Sequence, residues 1–208
     1  MDWTDVAVAL LFGSECAACA RPGRPWCTEC LVELQQAAAP HLLTEEPPTV
    51  AVCAYSGVVP EAVVGYKDRN ISALAQPLSD LLALGVLELA ETGYSGLLVP
   101  APSSPAAVRR RGFDHAWELT RRAAATLDLP AERLLRSRGR RDQAGLTAAA
   151  RRRNLADRIR ATAGGRGPVV VIDDVRTTGA TLGECDRALR EAGYEVAGHV
   201  VVAAANPS

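Results

Sequence analysis

Residues 169–181 have the sequence VVVIDDVRTTGAT. The first four of these residues are β-branched and follow Gly167 and Pro168, a pattern that is typical of an interior strand of a parallel sheet, apolar on both faces. Ligands of such sheets bind at the carboxyl ends of the strands, which is where Asp173 and Asp174 lie. The stretch therefore predicts an α/β fold with a binding site at one edge of its sheet.

A strand-to-helix turn follows the two acids. The segment Leu182–Ala192 has its apolar residues at the helical period, and Gly193 stands where a glycine ends a helix. The turn consists of Thr177, Thr178, Gly179, Ala180 and Thr181. Its backbone N–H groups and hydroxyls suit a phosphate, and the Walker-type phosphate loop does not occur anywhere in the sequence. The alternative is an ordinary turn in which a threonine caps the helix and the acids pair with arginines.

The same stretch resembles the signature with which type I phosphoribosyltransferases bind 5-phosphoribosyl-1-pyrophosphate (PRPP). The resemblance implies a parallel sheet flanked by helices. It also implies that Asp173 and Asp174 are the catalytic acids, which hold the ribose 2- and 3-hydroxyls. The turn Thr177–Thr181 would hold the 5-phosphate, and Mg²⁺ would bridge pyrophosphate and hydroxyl oxygens.

Length and composition allow one α/β domain with a small appendage. The chain has 208 residues, 48% of them hydrophobic, and a formal net charge of −1, so no global field draws it to nucleic acid or to a membrane. Asp2 and Asp5 stand where a secretory signal needs positive charge, and we expect Val6–Phe12 to belong to a short amphipathic helix. We expect no apolar run to span a bilayer, which predicts no membrane insertion and a cytoplasmic location.

Four of the six cysteines form two CxxC pairs. Cys16 and Cys19 are followed, after seven residues, by Cys27 and Cys30. Thiolates at this spacing can converge on one tetrahedral Zn²⁺, and four sulfur ligands leave no open position, so the predicted metal is structural. Disulfide pairing is the alternative, and the absence of a secretory signal favours zinc. The other two cysteines are predicted to be small buried apolar residues.

The chain divides into two predicted units. Residues 1–45 hold the N-terminal helix, the four-cysteine zinc knuckle and a linker, with polar, proline-containing sequence from Pro40 to Pro48, and residues 46–208 form the phosphoribosyltransferase-like domain. In the second unit we predict strands at 49–55, 97–100, 133–136, 169–172 and 195–204, helices at 72–90, 114–127, 147–160 and 182–192, and a helix or turn at 58–67. The helix at 72–90 is expected to be interrupted near Gly85. Strands that alternate with helices predict a parallel sheet.

Arginines are concentrated in the middle of the chain. Between Arg133 and Arg166 there are eleven arginines, two acids and no aromatic residue. One interpretation is a cationic hood that stabilises a departing pyrophosphate. A second is a patch that binds the backbone of single-stranded nucleic acid, although such binding usually adds aromatic stacking. A third is a solvated arginine face.

Seven blocks of residues, in this order along the chain, resemble the ComF family of phosphoribosyltransferase-like proteins. The blocks are the four-cysteine knuckle, Tyr66-Lys67, Val99–Pro102, Arg111–His115, Gln143 with Leu146, Arg151 with Asn154, and residues 169–181. The resemblance covers nearly the whole chain and implies an association with DNA uptake during natural competence. One departure is Asp114-His115, where the family commonly has an Asn-Gln pair.

Several side chains are candidates for contact with pyrophosphate or for the hood. They are Lys67, Arg69, Arg111, Gln143, Arg151 and Asn154. Lys67 is the only lysine among 23 basic residues, which suggests a position where a compact ammonium is preferred. His115 is expected to face the site if the Arg-Gly-Phe segment does, whereas His199 is expected to be a hydrogen-bonded histidine of the last strand.

Three functions fit these observations. The first is an enzyme that transfers the phosphoribosyl group of PRPP to an unidentified nitrogen acceptor and releases pyrophosphate. The second is a protein that handles single-stranded DNA and keeps the phosphoribosyl site for binding, with DNA-uptake proteins as partners. The third is a PRPP-sensing partner protein without turnover, with the zinc knuckle as its contact surface. The lack of an aromatic-rich hood to stack a base gives it some support.

Overall fold

A computed structural model describes residues 14–43, 46–91, 93, 96–137 and 158–205. The predicted N-terminal helix and most of the helix predicted at 147–160 lie outside the described residues. The α-helices are α1 (Thr28–Gln36), α2 (Val59–Lys67), α3 (Ala75–Ala90), α4 (Pro105–Arg111), α5 (His115–Leu127) and α6 (Ala180–Glu191), and a 3-10 helix (Ser72–Leu74) directly precedes α3. The strands are β1 (His41–Leu43), β2 (Thr49–Ala54), β3 (Leu97–Pro100), β4 (Leu135–Ser137), β5 (Ile159–Ala161), β6 (Pro168–Arg176) and β7 (Glu195–Ala204).

The main sheet confirms the predicted α/β class. Its strand order is β1-β2-β7-β6-β3, and every pair is parallel except β1 with β2. Alternate residues of β6 enter different core layers: Val170 and Ile172 pack with α3 and α5, whereas Val169 and Val171 pack with α6. The strand is apolar at successive positions because helices cover both faces of the sheet.

The edge strand β1 differs from the prediction, which assigned residues 40–48 to a linker. His41, Leu42 and Leu43 pair with β2 in antiparallel register, and Leu43 is buried. The knuckle is also joined to this fold, because Trp26 and Leu34 belong to the same core layer as α3. Backbone pairing and burial of one apolar side chain outweigh the loop-forming tendency of the surrounding prolines.

β4 and β5 form a separate antiparallel pair and correct two predictions. The strand predicted at 133–136 begins at Leu135, and the end of the helix predicted at 147–160 is strand β5. Leu135 and Ile159 are both buried in the layer beneath α6. Their burial favours a paired strand at this position, and this packing is not visible in the local sequence.

Helix α3 is continuous through Gly85, contrary to the predicted interruption. A Cβ atom at Gly85 would lie 2.5 Å from Val200 Cγ1 and 2.7 Å from Val52 Cγ2. The glycine therefore permits close approach of the helix to the sheet, where any larger residue would collide.

The segment Ser72–Ala90 also corrects the expectation that no apolar run is long enough to cross a membrane. It has 19 residues and a mean hydropathy of 1.4, and 56% of its most apolar window is buried within the protein. Leu74, Leu82 and Leu89 are fully buried against the sheet and its other helices. The apolar character of this helix is used in the core of the α/β fold.

Candidate functional site

The candidate site is a cleft at the carboxyl edge of the sheet. β3 ends at Pro100, which pairs with Ile172, whereas β6 continues to Arg176 alongside β7. The Ala101 N–H still donates to the Ile172 carbonyl at 2.8 Å, after which the chain turns away from β6. This divergence opens a cleft of about 250 Å³ whose lining includes Asp173 and Asp174. The acids lie at the edge where parallel sheets bind ligands, as predicted.

The two adjacent carboxylates face opposite sides of the strand. By the alternation of β6, Asp174 lies on the side of α5, and Asp173 lies on the side of α6, where its charge acts on Cys185. Two neighbouring acids in one strand therefore have different environments, although both border the cleft.

Asp174 is a buried, ionised carboxylate that lies next to the Lys67 ammonium and the His115 imidazole. Its Oδ2 atom lies 2.6 Å from Lys67 Nζ and 3.2 Å from His115 Nε2. The Lys67 contact has the distance of an ion pair, and the His115 ring nitrogen lies beside the same oxygen. Among the described residues, Asp174 Oδ2 has no partner with the angles of a hydrogen bond. Burial alone would raise the pKa of Asp174, but His115 and Lys67 reverse this effect and lower the pKa to about 2.

Asp173 has the opposite electrostatic character. Burial, and then the negative charge of Asp174, raise its pKa from 3.8 to about 7, although the Asp174 N–H donates to its Oδ1 at 2.9 Å. Near neutral pH the pair therefore carries one fixed charge on Asp174 and one titrating group on Asp173. Neighbouring carboxyl groups with such different pKa values are common in sites where the two groups have different roles.

The predicted phosphate turn opens helix α6. Gly179 is the N-cap residue with φ 73°, a left-handed conformation that favours glycine, and it has no side chain to cap the helix. The Ala180 N–H is 3.4 Å from Thr178 Oγ1, and Thr181 borders the cleft, with Thr177 exposed beside it. Thr181 thus places the N-terminus of α6 at the border of the cleft, and a helix N-terminus suits an anion.

His115 also contacts Arg111, which lines the cleft as well and was predicted to contact pyrophosphate or to belong to the hood. The Arg111 guanidinium donates to His115 Nδ1 at 3.1 Å and also contacts Asp68 Oδ1 at 3.0 Å. Because a guanidinium can only donate, His115 Nδ1 accepts, and the imidazole proton lies on Nε2, facing Asp174. Arg111, His115, Asp174 and Lys67 thus form one continuous network along the wall of the cleft.

The Asp114-His115 pair, where the chain departs from the ComF pattern, has a definite structural role. The Asp114 side chain is the N-cap of α5, accepting from the Trp117 N–H at 3.4 Å, and it also accepts from Ser103 Oγ at 3.0 Å. Asp114 therefore fixes both the start of α5 and the loop after β3, while His115 supports Asp174.

The structure does not bring every candidate to the cleft. Arg69 donates to the Ala17 carbonyl at 3.1 Å, in the knuckle, and lies 3.3 Å from Glu61, so its contacts are elsewhere. The other three hood candidates, Gln143, Arg151 and Asn154, lie outside the described residues.

Two cleft residues were missed in the sequence. Ser103 and Ser104 line the cleft from the loop after β3. Ser104 is also the N-cap of α4, a helix that was not predicted, and its Oγ accepts from the Ala107 N–H at 3.2 Å. The sequence did contain a signal for these two residues: their hydroxyls come directly after a predicted strand, and residues at the carboxyl edge of a parallel sheet converge.

The four knuckle cysteines converge as predicted. Their sulfur atoms all lie within 4.8 Å of one another, and none forms a disulfide. Burial would raise the pKa of Cys16, but backbone N–H groups, that of Cys19 first, lower it to about 6, whereas burial and the neighbouring sulfurs raise the pKa of Cys30. Four such sulfurs become thiolates together only around a cation, so the cluster suggests a structural zinc.

Comparisons with known proteins cover most of the chain. It is 30% identical over 196 residues to competence protein F of Haemophilus influenzae, covering 86% of each chain. It is 32% identical over 184 residues to DNA utilization protein YhgH of Escherichia coli, covering 82% of this chain and 80% of that one. No family model matches.

Similar solved structures are phosphoribosyltransferases. An adenine phosphoribosyltransferase has a TM-score of 0.43 at 15% identity, over 84% of this chain and 89% of that one. Orotate phosphoribosyltransferase from Aeropyrum pernix has a TM-score of 0.38 at 17% identity, over 82% of this chain and 78% of that one. Glutamine PRPP amidotransferase from B. subtilis has a TM-score of 0.41 at 20% identity; the match covers 62% of this chain but only 26% of that longer protein.

Proposed function

This chain belongs to the competence protein F (ComF) family, and from that premise we propose that it binds PRPP with Mg²⁺ in the cleft between the β3 loop and α6. One observation carries the proposal: a buried, ionised Asp174 paired with Lys67 lies in the same cleft as Thr181, in the first turn of a helix whose N-cap residue is a glycine. A ligand that presents vicinal hydroxyls, a 5-phosphate and a second anionic group matches these three features together. The proposed place of action is the cytoplasm, where thiols stay reduced.

In this proposal each part of the cleft binds one part of PRPP. Asp173 and Asp174 accept hydrogen bonds from the ribose 2- and 3-hydroxyls, and Thr177–Thr181 bind the 5-phosphate. Lys67 and Arg111 approach the pyrophosphate. Asp173 and Asp174 are the protein groups suited to hold Mg²⁺, which would supply positive charge next to the pyrophosphate.

We further propose that the site transfers the phosphoribosyl group. A nitrogen of the acceptor forms a bond to C1 while the bond from C1 to pyrophosphate breaks. Pyrophosphate leaves with the electron pair, and the proton lost by the nitrogen passes to solvent. The Lys67 ammonium, held beside Asp174, stabilises the charge that develops on the leaving group. Rigid support from β6 and α5 keeps the ribose oriented through this displacement.

Pyrophosphate release tests transfer directly. The protein is incubated with PRPP and Mg²⁺ against a panel of nucleobases and single-stranded DNA, and we expect release with at least one acceptor. Lys67→Met should lower that release about a hundredfold, since a charge contact to the transition state is lost. Arg69→Met is the matched control, because this cation contacts the knuckle, and it should leave release unchanged. If the protein binds PRPP but releases no pyrophosphate with any acceptor, the proposed transfer is contradicted, whereas the proposed PRPP site is not.

The second candidate is a protein that handles single-stranded DNA through the same face. The names of two relatives, competence protein F and DNA utilization protein, favour it, as do the exposed Arg109 and Arg110 on α4. Neutralising several phosphates makes affinity fall steeply with salt. We expect binding of a single-stranded oligonucleotide at low salt and a loss of about tenfold or more on raising salt threefold. No affinity at low salt would eliminate this candidate.

A further inference from the structure

Lys67 and His115 contact the same oxygen atom of Asp174. Lys67 Nζ lies 2.6 Å and His115 Nε2 lies 3.2 Å from Oδ2, and this oxygen is buried. Another group can therefore reach Oδ2 only after one of the two side chains has moved. Asp174 is also one of the two carboxylates proposed above to hold the ribose hydroxyls and Mg²⁺, so Lys67 occupies a position that such a ligand needs.

The two side chains differ in their freedom to move. His115 is 6% exposed, and Arg111 donates to its Nδ1 atom at 3.1 Å, so the ring is held from its far side. Since Nε2 carries the imidazole proton, this nitrogen has no lone pair to offer to a metal ion. Lys67 is the last residue of α2, 25% of its side chain is exposed, and its ammonium lies at the end of a flexible four-carbon stem. Lys67 is therefore the group that can leave Asp174.

The ammonium also neutralises the carboxylate that it contacts. Among the described residues, Asp174 is the only acid in an ion pair with Lys67. A carboxylate that is already paired with one cation attracts a second cation weakly, because the two cations repel each other. Mg²⁺ also gives up its water reluctantly, and proteins usually bind it through one or two carboxylates together with phosphates of the substrate. Lys67 and a divalent cation thus compete for Asp174.

A pyrophosphate group would offer the ammonium a second anionic partner. Lys67 and Arg111 both line the cleft, so an anion that lies there is within reach of two cations. Nζ can then exchange the Asp174 carboxylate for a phosphate oxygen without becoming an unpaired charge, which would be costly in a partly buried site. After this exchange Oδ2 is open to a ribose hydroxyl or to a metal ion.

We propose that Lys67 excludes divalent cations from Asp173 and Asp174 until a ligand that carries pyrophosphate draws its ammonium away. The metal ion enters together with the pyrophosphate and not before it. The proposal rests on the proposed function for the identity of the ligand, whereas the exclusion of the metal ion is a property of the chain alone.

The exclusion is tested by titrating the whole chain, as purified with its knuckle zinc, with Mn²⁺ in the absence of PRPP, and measuring the free ion by electron paramagnetic resonance. Lys67→Met should bind Mn²⁺ about tenfold to a hundredfold more tightly than the wild type, the range for one contact with a charged group. Adding Asp174→Asn to Lys67→Met should abolish this gain. Arg69→Met removes a cation that contacts the Ala17 carbonyl, and as the matched control it should bind Mn²⁺ as the wild type does.

The release of Lys67 can be followed without any variant. Because Lys67 is the only lysine, protein labelled with ¹³C-lysine gives a single ε-carbon signal in nuclear magnetic resonance spectra. Mg²⁺ alone should leave this signal in place, whereas Mg²⁺ with PRPP or with inorganic pyrophosphate should shift it. A shift of equal size with Mg²⁺ alone, or no shift with either ligand, would overturn the proposal.

The remaining outcomes separate this inference from the proposed function. Equal affinity of the wild type and Lys67→Met for Mn²⁺ would overturn the exclusion, whether or not PRPP binds. A gain that persists in the double variant would overturn it as well, because the ion would then lie away from Asp174. If inorganic pyrophosphate shifts the lysine signal and Lys67→Met gains Mn²⁺ affinity but PRPP does not bind, the phosphoribosyl site is contradicted and the exclusion stands.

Discussion

Replacing Asp174 by asparagine is expected to weaken PRPP binding in the presence of Mg²⁺ by about tenfold to a hundredfold, the range for losing a charged hydrogen bond. Asp174 is the fixed charge of the pair, since its pKa of about 2 keeps it ionised. Asparagine has nearly the same shape but leaves Lys67 without its 2.6 Å partner and offers a weaker acceptor to the ribose. Titration calorimetry with PRPP measures the loss.

The matched control is Asp80→Asn, the same change at an exposed acid on α3 that accepts a hydrogen bond from Gln76. It should leave PRPP affinity unchanged. Equal affinity of wild type and Asp174→Asn, with both folded by circular dichroism, would contradict the role assigned to this carboxylate.

Asp173→Asn is expected to differ from the wild type in how stability and PRPP affinity depend on pH. The pKa of Asp173 is raised from 3.8 to about 7, so the folded protein holds an additional proton between these values, and this carboxyl makes stability fall as pH rises through that window. Binding of hydroxyls or Mg²⁺ favours the ionised form, so wild-type affinity should rise through pH 7. The asparagine variant should lose this rise and gain stability above pH 7.

Removing the knuckle metal is expected to produce the largest loss of stability. We expect about one zinc per chain in the purified protein, and its removal or Cys30→Ser should lower the melting temperature by roughly 10 °C or more, since structural zinc contributes several kcal/mol. The effect should reach the main domain because Trp26 and Leu34 pack in the core layer that contains α3. Atomic absorption gives the metal content, and calorimetry gives the melting temperature.

Cys53→Ala is the control for the knuckle. Cys53 is fully buried in β2, outside the four-sulfur cluster, so its replacement should retain the full zinc content. A fully folded Cys30→Ser protein with unchanged melting temperature would contradict a structural metal.

Local patterns predicted the elements whose signal is short-range. β7 and α2 match their predicted positions to within one residue, and the four cysteines converge because two tight CxxC pairs need only one chain reversal between them. His199 was correctly expected to be hydrogen-bonded: its ring nitrogens lie 2.9 Å from Thr49 and 2.7 Å from Asp186. Gly85 was misjudged, because a helix-breaking residue and a close-packing residue look the same in sequence.

The sequence by itself determined the α/β class, the family, the cysteine cluster and the position of the acid pair at a strand end. These follow from spacing within short segments, which fixes local conformation and side-chain alternation. Only the tertiary structure decided that Asp173 and Asp174 have different pKa values and that Lys67 and His115 converge on Asp174. The physical reason is that pKa shifts depend on burial and on charges brought together from residues far apart in the chain.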